Sequence, residues 1–316
     1  MGTIRRAVID VGTNSVKLFV GDVSGRDVRP VGETSLQTRL GKGFYETHRL
    51  QPESIARTAR AVATFSRRAR EHRAVSIRVI ATSAARDAVN GGELTEAIAK
   101  ASGLRVEIIS GDQEAEWAFQ GVTTNVALAA APLLLLDVGG GSTEFILGQG
   151  DRQHFARSFP LGTVRLLEKF PHSDPPRQEE YRACRTWLKR FLRTEVRPAL
   201  EPALQRQSRR HPRSSPIQLV GTGGTTSLLA RIELKLKRFD RHRIEDARLS
   251  RRQVTAHRKH LWSLPLAGRR SIIGLPAQRA DVILTGSLIF ETVMEEFEFQ
   301  QLCVSTRGLR FAAVMD

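Results

Sequence analysis

The 316-residue chain has little of what several classes of protein require. Its two cysteines, Cys184 and Cys303, show no metal-ligand spacing and form no disulfide framework, so reduced thiols are expected. No apolar run reaches the roughly 18 residues that a membrane span needs. Asp10, Asn14 and Lys17 interrupt the apolar stretch near the N-terminus, which therefore does not resemble a signal peptide. The sequence predicts a cytoplasmic protein without a membrane partner.

Acidic residues are also scarce: 33 stand against 49 lysines and arginines, giving a formal charge of +16. This excess favours a polyanionic partner, although an arginine-rich genome is an equally good explanation of it. The chain has two tyrosines and three tryptophans, without the alternation of aromatic and basic residues that stacks nucleic-acid bases. Nucleic acid is therefore not expected as a partner.

What the sequence does contain is a distinctive stretch at residues 133–147. Four leucines predict a buried strand, three glycines a tight turn, and Glu144 to Leu147 a second strand. Asp137 ends the first strand and Glu144 opens the second. Bare amides, hydroxyls and two carboxylates suit a phosphate bound with a divalent metal, whereas an ordinary hairpin is the plainer alternative.

The same pattern occurs near the N-terminus, where Asp10-Val-Gly-Thr-Asn-Ser15 follows a strand and precedes another. Two matched copies, more than a hundred residues apart, predict two related domains facing one cleft. Two further small-residue turns have groups that can bind an anion: 82–87, where an ordinary surface position of Arg86 is the favoured alternative, and 221–226, which enters a helix without the lysine of a P-loop. Glu114 lies in the helix after Ser110.

Other segments carry simpler expectations. A short helix begins at Thr82 or Ser83 and is expected to end at Asn90-Gly91. A long helix is predicted from Glu179 to about Leu204, and residues 265–274 are predicted to form a loop.

Taken together, the motifs resemble the exopolyphosphatase and guanosine pentaphosphate phosphohydrolase (Ppx/GppA) family. The resemblance extends over essentially the whole chain and rests on six motifs in the family's order: Asp10–Ser15, Ala81–Asp87, Ile109–Ala115, Asp137–Glu144, Gly221–Thr225 and Gly308–Arg310. It implies an α/β protein with the two-domain fold of actin-like and heat-shock ATPases and sugar kinases, which is ribonuclease H-like, and an active-site cleft between the domains. We expect domains at 1–124, with 305–316 packing back on the first, and at 125–304.

The resemblance also implies roles for individual residues. Glu114 matches the catalytic glutamate that activates water, and Arg86 matches an arginine that grips phosphate. Asp10, Asp137 and Glu144 match the acids that organise magnesium (Mg2+). The phosphate-binding turns would comprise Thr13, Asn14, Ser15, Gly139, Gly140, Gly141, Ser142, Thr143, Gly223, Gly224 and Thr225.

The expected activity is magnesium-dependent release of orthophosphate from the end of inorganic polyphosphate. The same chemistry on guanosine pentaphosphate (pppGpp) is the alternative, and an ATP-binding scaffold without hydrolysis is a third. One departure concerns Glu116, which stands where the family often has an arginine. Without the C-terminal helical domain of longer relatives, the enzyme would be the two-domain form, less processive on long chains. Family resemblance also suggests a homodimer.

Overall fold

The computed structural model describes residues 2–210, 216–245 and 247–316, and of Arg210 only the backbone. The chain forms two compact units, which we treat separately. Unit 1 comprises Met1–Thr124 and Arg307–Asp316, and unit 2 comprises Asn125–Thr306. Within the ranges just given, no helix is both long and apolar enough to cross a lipid bilayer.

Unit 1 is built on a five-stranded sheet with the order β3-β2-β1-β4-β5. The first three strands form an antiparallel meander, and the last two run parallel to β1. The elements are β1 (Ile4–Val11), β2 (Val16–Ser24), β3 (Asp27–Leu36), α1 (Phe44–Thr47), α2 (Pro52–Glu71), β4 (Ser76–Ala81), α3 (Ser83–Asp87), α4 (Gly91–Ser102), β5 (Val106–Ile108) and α5 (Gly111–Val122).

Alternation along β1 produces the two cores of unit 1. Ile9 and Val11 face the core that contains α2 and α4, while Val8 faces the opposite core. The second core includes Trp117 of α5 and Phe311, which lies in the C-terminal part of the chain. The two cores therefore cover both faces of the sheet, and the β1–β2 turn lies at the end of these two strands.

Unit 2 contains a six-stranded sheet with the order β10-β11-β9-β6-β7-β8. Its elements are α6 (Val126–Ala129), β6 (Leu133–Val138), β7 (Thr143–Gln149), β8 (Arg152–Phe159), α7 (Thr163–Lys169), α8 (Gln178–Phe191), a π-helical segment (Leu192–Val196), α9 (Arg197–Arg210), β9 (Gln218–Thr222), α10 (Gly223–Glu233), α11 (Arg241–Glu245), β10 (Arg248–Ser250), α12 (Arg251–Ser263), α13 (Leu266–Arg270), a 3₁₀ turn (Ala277–Arg279), α14 (Ile283–Glu296) and β11 (Gln301–Val304). The last helix, α15 (Leu309–Ala313), belongs to unit 1.

The two sheets repeat one topology. The order β8-β7-β6-β9-β11 reproduces β3-β2-β1-β4-β5, with an antiparallel meander on one side and two parallel strands on the other. The α/β fold class is thereby confirmed, and the repeated strand order is that of a ribonuclease H-like fold. The strand–turn–strand repeat seen in the sequence corresponds to β1–β2 and β6–β7.

Helix α14 is the centre of unit 2, since its first twelve residues are buried. Glu291 of this helix accepts two hydrogen bonds from Arg258 of α12, with N···O distances of 2.6 and 2.7 Å. The guanidinium also lies 4.5 Å from the ring centre of Tyr181. A charged pair thus sits inside the packed helical layer.

Two local predictions were wrong. Helix α3 ends at Asp87, and Asn90 precedes a new helix because its side-chain amide binds both backbone groups of Leu50. The segment 265–274 contains α13, where the buried Arg269 guanidinium donates to the backbone carbonyls of Leu264 and Ala280. The long helix continues as expected but passes through a π-helical segment.

Candidate active site

The turn between β1 and β2 is fixed by a neighbouring loop. The N–H of Gly41 donates to the Thr13 carbonyl (N···O 2.8 Å), and the N–H of Arg39 donates to the Asn14 carbonyl (3.0 Å). Across a trans peptide, a carbonyl and the next N–H point in opposite directions. The amides of Asn14 and Ser15 therefore point away from the loop.

The corresponding turn of unit 2 is held in the same way, by the start of α7. The carbonyl oxygens of Gly139 and Gly140 accept hydrogen bonds from backbone N–H groups of residues 163–165, and the Gly141 carbonyl accepts one from the Arg165 side chain. By the same peptide geometry, the amides of Gly140, Gly141 and Ser142 point away from α7. A row of amides pointing one way is an anion-binding arrangement.

Thr143, the next residue of this turn, faces the protein interior. Its hydroxyl is fully buried and donates to the Leu161 carbonyl (O···O 2.6 Å). This hydrogen bond connects β7 to the segment before α7, so the hydroxyl proton already has an acceptor within unit 2.

The third glycine turn joins β9 to α10. Gly223 has a positive φ of 88°, and an added Cβ would lie 2.6 Å from Oδ1 of Asp137, whereas one on Gly224 would meet nothing within 4 Å. Thr225 is buried beside Gly286 of α14. The carboxylate of Asp137 consequently packs directly against the start of α10.

Asp137 and Glu144 are directly opposite each other in the β6–β7 pair. Residues in this relation have Cβ atoms about 4.5–5.5 Å apart and on the same face of the sheet. Glu144 is buried and accepts a hydrogen bond from Ser158 of β8 (O···O 2.8 Å). The structure therefore places two carboxylates side by side at the end of the glycine turn.

In unit 1 the equivalent pair differs. Asp10 is opposite Lys17 in the β1–β2 register, and the two side chains form an ion pair of 3.8 Å. The repeat thus has an acid and a base in unit 1 where unit 2 has two acids. Lys17 was not identified from the sequence as the partner of Asp10. The equal spacing of the two turns would have shown that Lys17 occupies the position equivalent to Glu144.

Arg86 and Glu114 meet within unit 1. Nη1 of Arg86 donates to Oε2 of Glu114 (3.0 Å) and also to the backbone carbonyl of Ile109 (3.1 Å). Glu114 is buried in the first turn of α5, whose N-cap is Ser110. The hydrogen bond fixes the direction of the carboxylate, and the helix N-terminus favours its negative charge.

Glu116, the residue that departs from the family's pattern, points to the other side of α5. It is exposed and accepts hydrogen bonds from the side chains of Gln113 and Gln120. Its carboxylate therefore has local partners on the surface of the helix.

The residues fit a hard divalent cation. Within 2–210, 216–245 and 247–316, no group of three His, Cys, Asp or Glu side chains is arranged to hold a metal. Mg2+ does not need such a group, because it usually binds through one or two carboxylates, substrate phosphates and water. The pair of Asp137 and Glu144 provides that oxygen set, whereas Asp10 is engaged by Lys17.

Comparison with known proteins agrees with these motifs. Residues 19–315 match the sequence profile of the Ppx/GppA phosphatase family. The chain belongs to this family. Because the match covers nearly all of both units, the family expected from the six motifs is confirmed, and with it an enzyme of the phosphoanhydride hydrolase class rather than a scaffold.

Among similar proteins, exopolyphosphatase 2 of Mycobacterium tuberculosis is 33% identical over 98% of this chain and 97% of its own length. A Ppx/GppA family member from Aquifex aeolicus has a solved structure with 29% identity and a TM-score of 0.77, covering 99% of this chain and 97% of the other. An exopolyphosphatase from Cytophaga hutchinsonii gives 28% identity and a TM-score of 0.83, with 98% and 96% covered. The similarity therefore extends over both units.

The predicted site residues fall into two groups. Unit 1 holds Asp10, the 13–15 turn, Arg86 and Glu114; unit 2 holds both glycine turns with Asp137 and Glu144. Their roles and the common cleft stay predictions. Ser158 and Arg165 support the site but were not found from the sequence, because each contacts its partner through strand pairing or helix packing.

Proposed function

We propose that the protein is an exopolyphosphatase, which hydrolyses the terminal phosphoanhydride of inorganic polyphosphate and releases orthophosphate. The observation that carries the proposal is the hydrogen bond from the partly buried Arg86 to the buried Glu114 at the start of α5. A carboxylate held by a guanidinium and a helix N-terminus is oriented to accept a proton, and a nearby arginine can also bind a phosphoryl oxygen.

The phosphate groups would be bound by the outward amides of the three turns. The amides of Asn14 and Ser15 serve in unit 1, and those of Gly140 and Gly141 serve in unit 2. A Cβ added to Gly224 would meet nothing within 4 Å, so there is space beside this backbone for a phosphate to approach it. Charge on the transferring phosphoryl group is stabilised by such fixed dipoles without reorganisation.

Asp137 and Glu144 would hold Mg2+, and the chemistry that the ion supplies when bound is neutralisation of charge on the phosphoryl oxygens. Gly223 leaves room for the Asp137 carboxylate, and Ser158 orients Glu144. A contribution of Asp10 to the same ion stays a prediction, because Lys17 already faces this carboxylate.

In the reaction itself, Glu114 accepts a proton from water as the water oxygen bonds to the terminal phosphorus. The bridging P–O bond breaks, its electron pair remains on the shortened polyphosphate, and orthophosphate is released. Arg86 stabilises the negative charge that the terminal phosphate carries during this transfer. General-base assistance of this kind contributes on the order of 10²–10⁴-fold in rate.

Guanosine pentaphosphate is the alternative substrate, because it too ends in a phosphoanhydride. Its hydrolysis would use the same amides, carboxylates and Glu114. A cytoplasmic location and a homodimer belong to this proposal as well.

The test is orthophosphate release by the wild-type protein from polyphosphate and from guanosine pentaphosphate, each with Mg2+ and with a chelator. The proposal expects Mg2+-dependent release, faster from polyphosphate. Release from guanosine pentaphosphate alone would assign the alternative substrate, and no release from either would overturn the proposal.

A further inference from the structure

The loop of residues 37–43 is basic, and the site described above uses only its backbone. Gly41 and Arg39 hold the turn at Thr13 and Asn14 through hydrogen bonds. A Cβ on Gly41 would lie 2.4 Å from Cγ2 of Thr13, so the loop lies directly against the phosphate turn. Lys42 is exposed at the tip of this loop.

Ser54 connects this loop to the start of α2. Its hydroxyl donates to the Arg39 carbonyl (O···O 3.2 Å) and accepts a hydrogen bond from Nη2 of Arg57 (2.9 Å). The same Arg39 carbonyl accepts the N–H of Lys42 (3.1 Å). The Arg57 guanidinium is therefore placed beside the loop that holds the phosphate turn.

From Arg57 a row of arginines continues along the exposed face of α2. Arg60 and Arg67 follow at spacings of three and seven residues, which keeps all three on one face of the helix. At a rise of about 1.5 Å per residue the row is about 15 Å long. We call Lys42, Arg57, Arg60 and Arg67 the basic track.

The basic track has no carboxylate partner. None of its four side chains forms an ion pair with a residue that the structure describes. Neighbouring like charges on a helix are destabilising by a few tenths of a kcal/mol per pair unless a counter-charge is present. Four exposed cations without an ion-paired carboxylate suit a linear polyanion, although Glu53 and Glu71 stand four residues from Arg57 and Arg67 on the same helix.

We propose that the basic track binds part of an inorganic polyphosphate chain. This inference rests on the proposed function. Arginine recognises phosphate oxygens through a planar pair of N–H groups, and each phosphate of the polymer offers such oxygens. A tripolyphosphate has only three phosphates to contact a row about 15 Å long, so the track is expected to favour long chains.

A single-stranded nucleic acid presents a similar line of phosphates. It would in addition expose its bases, which proteins bind by stacking on aromatic side chains. The basic track contains lysine and arginine only. Polyphosphate, which has no bases, is therefore the better match.

The test compares two charge-matched variants, each made in the Glu114→Gln background so that the polymer is not hydrolysed. The first is R57A/R60A/R67A. The control, R190A/R252A/K259A, removes three exposed cations from α8 and α12 in unit 2. Affinities for long polyphosphate, tripolyphosphate and single-stranded RNA are measured over a range of salt concentrations.

The track variant is expected to bind long polyphosphate roughly tenfold more weakly, because exposed ion pairs contribute modestly each. The slope of log affinity against log salt should fall by about 2, taking about 0.7 per lost contact as in single-stranded nucleic acids. Tripolyphosphate binding and the control variant should be unchanged.

Three results would overturn the proposal: an equal loss in the control variant, an equal loss for tripolyphosphate, or a loss for RNA alone. Orthophosphate release by the wild-type protein separates this inference from the proposed function. Track-dependent binding of long polyphosphate without any release would contradict the proposed hydrolysis and leave the binding surface standing.

Discussion

Gly223 provides a sharp test of the metal site. An alanine there would place its Cβ 2.6 Å from Oδ1 of Asp137, and Cβ contacts below 3.0 Å are essentially never found, so the carboxylate or the backbone of the turn must shift. The positive φ of 88° adds backbone strain of about 1–2 kcal/mol. A displacement of about 1 Å at a catalytic group can cost about 10²-fold in rate.

We therefore expect Gly223→Ala to lower phosphate release between about 10- and 100-fold and to raise the Mg2+ concentration needed for half-maximal activity. Gly150→Ala is the matched control, because Gly150 also has a positive φ (61°) but an added Cβ meets nothing within 4 Å. Both variants should lose a similar free energy of unfolding in denaturant titrations.

The comparison isolates the displacement of Asp137 from the strain of the backbone. If Gly223→Ala keeps the activity and the Mg2+ dependence of Gly150→Ala, the proposed role of Asp137 in holding the metal is wrong.

Three further predictions concern stability and reactivity. Arg258→Met leaves Glu291 buried without its partner, so the free energy of unfolding in denaturant should fall by about 3–5 kcal/mol. The double variant Arg258→Met/Glu291→Leu should recover much of this loss. A change near zero in Arg258→Met would contradict the buried pair. Burial raises the pKa of the Cys184 thiol to about 12, so iodoacetamide at pH 8 should label it only after unfolding, and rapid native labelling would contradict this. Hydrogen bonds, chiefly from the Arg177 backbone N–H, lower the pKa of Glu180 from 4.5 to about 2. The wild-type protein should therefore be more stable than Glu180→Gln above about pH 4.5 and should lose this advantage as the pH falls through 2. A difference in the free energy of unfolding that does not narrow in acid would contradict this prediction.

Short-range patterns made the two glycine turns predictable. The apolar strands ending at Asp10 and Asp137, and the equal spacing of the turns that follow, are visible in the sequence and correspond to β1–β2 and β6–β7. Helix α2 (Pro52–Glu71) follows rules that are visible in the sequence, because a proline begins it and one face is apolar.

Contacts between distant segments were not predictable in the same way. The bond from Ser158 to Glu144 depends on the register of β8, which includes an irregularity at Leu147/Gly148. The peptide orientation at Gly140 depends on α7, which packs behind the turn. Asn90 has the local features of a helix end, yet its amide binds Leu50, forty residues away.

The Lys17–Asp10 pair shows what the sequence alone left ambiguous. The repeat made Asp10 look equivalent to Asp137, and both were predicted to organise magnesium. The register shows that the residue opposite each one differs, Lys17 in unit 1 and Glu144 in unit 2. Because a neighbouring ammonium reduces the attraction for a cation, we expect the carboxylate pair of unit 2, rather than Asp10, to bind magnesium.

The proposed role of Glu114 in activating water is tested by the single-turnover rate of orthophosphate release from polyphosphate by Glu114→Gln. Glu116→Gln is the control, since Glu116 lies on the same helix but is exposed among glutamines. We predict a rate lowered by about 10²–10⁴-fold in Glu114→Gln with polyphosphate binding retained, and a wild-type rate in the control. A Glu114→Gln rate equal to that of the control would show that Glu114 does not activate water.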